Sequence, residues 1–67
     1  MSETFLVVEY EDGVPVEETG HATREAGERR LAEAVERIKG EPSGAAHRVE
    51  LWAEGIVLAI FDTEDQP

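Results

Sequence analysis

Six consecutive apolar residues, Ile56-Val57-Leu58-Ala59-Ile60-Phe61, stand between Glu54-Gly55 and Asp62. A run of that length, rich in β-branched and aromatic side chains and closed by turn residues, is a strand rather than a helix. Being apolar on both sides, it is expected at the centre of a sheet, where both faces are covered. Phe5-Leu6-Val7-Val8, inside an expected strand Thr4–Tyr10, reads in the same way. Two such strands are enough to exclude a disordered acidic chain, although the composition otherwise invites one.

The 67 residues form one domain spanning 1–67 and contain no cysteine. A chain of this size buries only about 60% of its unfolded surface, and here no disulfide or thiolate metal site can add stability. Stability is therefore expected from a tight core or from association. No apolar run approaches a membrane span of roughly 20 residues. The start Met1-Ser2-Glu3-Thr4 lacks the basic residues of a signal peptide. The reading is a soluble cytoplasmic protein.

A helix is expected after Thr23, its N-cap, ending at Gly40 with Pro42 beyond. Leu31, Ala34, Val35 and Ile38 form one apolar stripe, which Gly27 extends by a turn at a point where a missing side chain permits close approach to a sheet. Glu25–Arg29 and Glu33–Arg37 are spaced as i, i+4 ion pairs on the solvated face.

Asp12-Gly13 is a hairpin turn, followed by a short return strand Val14-Pro15-Val16 whose proline confines it to a sheet edge. Arg48–Ala53 and Ile56–Asp62 make a second hairpin closed by Glu54-Gly55. The fold class is α+β: a single-layer ββαββ sheet of three to four strands, with the helix packed on one face. The expected strand order is second, first, fourth, third, with the two central strands parallel. The helix would then cover Leu6 and Val8, Val49 and Leu51, Leu58 and Ile60. Phe5, Val7, Trp52, Val57 and Phe61, with Ala59, would share the uncovered face as an apolar partner-binding or dimer surface.

Sixteen acidic residues against six basic ones give a formal charge of −10. The segment Thr23–Gly40 sums to +1, so the remainder carries −11. Such a domain attracts cationic surfaces and repels nucleic acid and anionic membrane. In the expected topology, Glu9, Glu11 and Asp12 meet Asp62, Glu64 and Asp65 at one end of the sheet. That would form a row of negative charge comparable in kind to a phosphate backbone.

Catalytic chemistry has no signature. The carboxylates fall at strand ends and turns, where water reaches them, instead of in a desolvated pair. Asp62-Thr63-Glu64-Asp65 lacks the central glycine and terminal glutamate of an EF-hand. His21, just before the helix, and His47, just before a strand, read as surface or capping residues; Ser2 and Ser43 lack orienting partners in sequence, and the glycines form no phosphate-cradling pattern. No enzyme activity, cofactor or metal is expected. In size and charge the chain resembles the small phage-encoded inhibitors of host nucleic-acid machinery, anti-CRISPR proteins among them. That resemblance implies a non-enzymatic inhibitor whose acidic surface blocks a basic, nucleic-acid-binding site on a partner protein. It would bind neither nucleic acid nor membrane directly. The alternative is a small homodimeric accessory subunit that associates through the Trp52 face.

Overall fold

Both hairpins turn on two residues with positive φ: Asp12 (52°) with Gly13 (82°), and Glu54 (52°) with Gly55 (75°). Two left-handed residues in succession give the turn whose twist matches the strands on either side. The computed structural model describes residues 4–40 and 46–63. Its elements are β1 (Phe5–Glu11), β2 (Val14–His21), α1 (Arg24–Gly40), β3 (His47–Ala53) and β4 (Ile56–Asp62). They form one four-stranded antiparallel sheet with a single helix against it.

The helix begins as expected. Thr23 Oγ1 accepts from the Ala26 amide at 3.1 Å, and the Gly27 amide donates to the Thr23 carbonyl at 3.1 Å. This satisfies donors that a helix start leaves open. Gly27, Ala34 and Ile38 are buried along the expected stripe. A β-carbon on Gly27 would lie 2.8 Å from Leu51 Cδ1 and 3.4 Å from Phe5 Cβ, so any other residue would force the Leu51 side chain to shift. β2 continues to His21, well past Val16. Its residues are mostly exposed, and it is held by its backbone ladder to β1.

The strand order differs from expectation. It is β2-β1-β3-β4, so β1 pairs antiparallel with β3 and the apolar β4 lies at an edge. The path from β2 through α1 delivers β3 to the far side of β1, and β4 can then pair only with the outside of β3. Residues directly opposite in an antiparallel ladder share a face. Phe5 opposes Ala53, Val7 opposes Leu51 and Glu9 opposes Val49, which turns Phe5, Val7 and Glu9 under the helix and Leu6, Val8 and Tyr10 away from it. A one-residue change of register reverses every side chain of a strand.

A second shift acts within the last hairpin. Ala53–Ile56 and Trp52–Val57 pair as expected, but Leu51 then opposes Ala59 and Val49 opposes Phe61. Leu58 is the additional residue of a bulge. The bulge rotates Phe61 toward the core and Ile60 away from it. The core is therefore Phe5, Val7, Ala34, Ile38, Val49 and Leu51, with Leu31, Ala53, Leu58, Ala59 and Phe61 packed around it.

Candidate partner-binding surface

The arginines set the electrostatics of the surface, because the chain keeps them to itself. Arg24 pairs with Glu28 at 3.1 Å and Arg29 with Glu25 at 3.5 Å along the helix. Arg30 reaches across to Glu9 at 2.8 Å and Glu17 at 3.2 Å, and Arg37 also grips Glu9. Arg48 holds Glu50 at 2.7 Å. The expected Glu33–Arg37 pair is replaced by Arg37–Glu9. All five arginines of the chain thus meet a carboxylate of the chain. Glu11, Glu18, Glu33, Glu36 and Glu54 are exposed and meet no arginine among the described residues.

The expected acidic row is only partly assembled. Glu9 is 4% exposed and lies inside, beneath the helix, so it leaves the candidate surface. Burial removes water from its carboxylate, and two guanidinium groups replace that water. Glu11 and Asp12 are exposed at the end of β1. Asp12 is tied to Ala46: its amide donates to the Ala46 carbonyl at 2.8 Å, and its Oδ1 accepts from the Ala46 amide at 3.0 Å. Asp62 lies at the same end of the sheet, although β3 stands between. Glu11 opposes His47, and Asp62 opposes Arg48. Two strand spacings put these acidic ends about 10 Å apart, with a basic residue in the gap. Glu64 and Asp65 lie outside the described residues.

The apolar set is also divided. Phe5 (9% exposed) and Val7 (1%) are core residues, and Phe61 packs against the core. Trp52 and Val57 remain opposite each other on the face away from the helix, joined there by Leu6, Tyr10 and Ile60. In the sequence β1 is apolar in both parities, so its hydrophobicity gives no choice of face. Glu9 does give one. Arg30 and Arg37 are two helical turns apart, and a carboxylate on the Phe5/Val7 side of β1 satisfies both.

On that open face a polar–aromatic cluster occupies the centre. Glu50 is 5% exposed, and its Oε1 accepts from Trp52 Nε1 at 2.8 Å. Tyr10 shares this face with Glu50. Burial, followed by the charge of Glu50, pushes the Tyr10 phenol above its ordinary value. Trp52 is thus half-buried and tied by its indole N–H. Beside the cluster a groove of about 350 Å³ is lined by Leu6, Val8, Tyr10, Pro15, Glu18 and Trp52, among others. A second concavity, about 520 Å³, opens at the sheet end between Tyr10, Asp12, His47, Arg48, Glu50 and Asp62.

Among the described residues no three acidic, histidine or cysteine side chains gather as a metal site requires, and no helix is long and apolar enough to cross a membrane. His47 Nε2 is buried with no hydrogen-bond partner among the described residues. Comparison with protein-family models, with curated proteins and with solved structures finds no match.

Proposed function

We propose that this protein is a non-enzymatic binding protein whose acidic surface occupies a basic, nucleic-acid-binding site on a partner protein. The observation that supports this reading is the disposal of the cations. With every arginine paired internally, the outward field is set by the carboxylates left over: Glu11, Asp12, Glu18 and Glu54 on the sheet and its turns, and Glu33 and Glu36 on the helix. The helix segment is nearly neutral in sum, so the excess is carried by the rest of the chain. With Glu9 turned inward there is no regular phosphate-like row. Attraction would come from the field as a whole, which favours fast, salt-sensitive association over a fixed pattern of contacts.

The test is a competition. The immobilised protein captures its partner from a lysate, the partner is identified, and its affinity is measured against salt and against labelled nucleic acid. Binding is expected to weaken steeply between roughly 50 and 200 mM salt and to exclude the partner's nucleic acid, because both ligands would neutralise the same Lys and Arg side chains. Glu11→Lys with Glu18→Lys is expected to reduce binding at least tenfold, whereas Glu25→Lys with Glu33→Lys on the helix has little effect. A partner that holds this protein and its nucleic acid together, with affinity indifferent to salt, excludes the reading.

A further inference from the structure

β4 is apolar along nearly its whole length, yet none of its residues is buried. Ile56 is 61% and Ile60 51% exposed, and the remaining side chains are half-buried. Two features of the fold cause this. β4 pairs on one side only, with β3, and the helix packs over β1, β3 and β2.

A free apolar edge is a template for further pairing, and proteins ordinarily defend such edges with proline or charge. The opposite edge obeys that rule, since β2 carries Pro15, Glu17 and Glu18. β4 does not. Gly55–Phe61 is the longest charge-free run in the chain, and the first charge, Asp62, comes only at its end.

We propose that β4 is an interface between two copies of this chain, paired antiparallel about a two-fold axis so that two four-stranded sheets join into one of eight. The inference is independent of the acidic-surface reading and uses a different part of the molecule.

Electrostatics selects the second copy as the occupant. Two chains of charge −10 repel each other, and a charge-free segment is where they approach at least cost. If Ile56–Asp62 pairs with its copy about an axis near Ala59, each Asp62 lies opposite the other's Ile56. The two aspartates then stand about 20 Å apart, some two Debye lengths at 0.1 M salt, and the like charge that remains is between each Asp62 and the exposed Glu54 in the other's turn, at the two ends of the seam. A cationic partner would find no charge to hold on this strand. Self-pairing is also isologous, so the strand offers what it accepts.

The side chains fit on both faces of the seam. Ile60 lies with Val57 and Trp52 on the open face, and Leu58, Ala59 and Phe61 pack toward the core on the other. The bulge at Leu58 increases local twist, so the joined sheet should be strongly coiled at the seam. A seven-residue strand is about 23 Å long. A seam of that length is smaller than a standard interface of about 800 Å² per partner, which makes the dimer weak and concentration-dependent.

Sedimentation equilibrium of the full chain from about 10 µM to about 1 mM brackets such an affinity. The dimer fraction should rise across that range. Ile60→Lys, which puts a charge on the seam, should remain monomeric throughout with an unchanged far-ultraviolet circular dichroism spectrum. Because the chain has no cysteine, single substitutions Leu58→Cys, Ala59→Cys and Ile60→Cys report the axis directly. Opposed residues in an antiparallel pair have Cα atoms about 4.5–5.5 Å apart, within disulfide range. At least one of the three should oxidise to a covalent dimer faster than Val16→Cys on the other edge. A wild-type chain monomeric at the highest concentration overturns the proposal. So does an Ile60→Lys variant that dimerises like wild type, or cross-linking fastest through Val16→Cys.

Discussion

Glu9 sits on a strand face shared with Phe5 and Val7, where two helix arginines hold its charge. Arg30 donates to its Oε2 at 2.8 Å and Arg37 to its Oε1. Breaking a buried pair by removing one partner typically costs 3–5 kcal/mol. Arg37 is half-exposed and Arg30 retains Glu17, so Glu9→Gln should lose about 2 kcal/mol. Glu11→Gln, two residues along and exposed, should change stability by less than about 0.5 kcal/mol. Urea denaturation of the two variants decides the matter, and equal midpoints would sink the account. This residue also marks the limit of reading the sequence. A glutamate ending an apolar run looks like a surface residue, and nothing local shows that two cations of a distant helix will cover it. Thr23, in contrast, caps the helix through a contact three residues away, and that was legible.

At the scale of elements, legibility followed the range of the forces involved. The two turns, the helix and its apolar stripe depend on neighbours within a few residues, and they appear as the sequence implied. The positions of β1 and β4 depend on which strands they meet. β1 did prove central, but β4, equally apolar, stands at the edge. Hydrophobicity specifies that a strand should be covered, not which element covers it. The bulge at Leu58 leaves no mark in a run of six apolar residues, and it moved Phe61 from one face to the other. Gly27 is the clearest case where an element's placement was written into one residue. Leu51, 1% exposed beside it, would have to shift within a packed core to admit a larger residue. Gly27→Val should therefore lose about 2–3 kcal/mol through overpacking. Gly40→Ala, whose new β-carbon would meet nothing within 4 Å, should be neutral or gain up to about 0.5 kcal/mol. Thermal unfolding of both variants checks this, and a stable Gly27→Val would mean that the helix does not rest on Leu51 as closely as described.

For the molecule as a whole, the sheet is two tight hairpins joined along a single seam, β1 against β3. Each hairpin closes over two residues, whereas the seam joins residues as far apart as Phe5 and Ala53. Chain entropy opposes such long closures more than short ones, and folding slows as contacts become less local. The hairpins and helix can form early, and the rate of folding should be that of docking one hairpin on the other beneath α1. Val49→Ala, at the seam and fully buried, should then slow refolding by most of its stability loss. Val14→Ala and Val16→Ala, on the exposed outer strand, should act mainly on unfolding. Stopped-flow chevrons would measure both, and a Val49→Ala effect confined to the unfolding arm would show that the hairpins meet only after the barrier. A chain in which no strand of the first hairpin contacts the second until late spends its folding time as two separate ribbons, each with an uncovered apolar side.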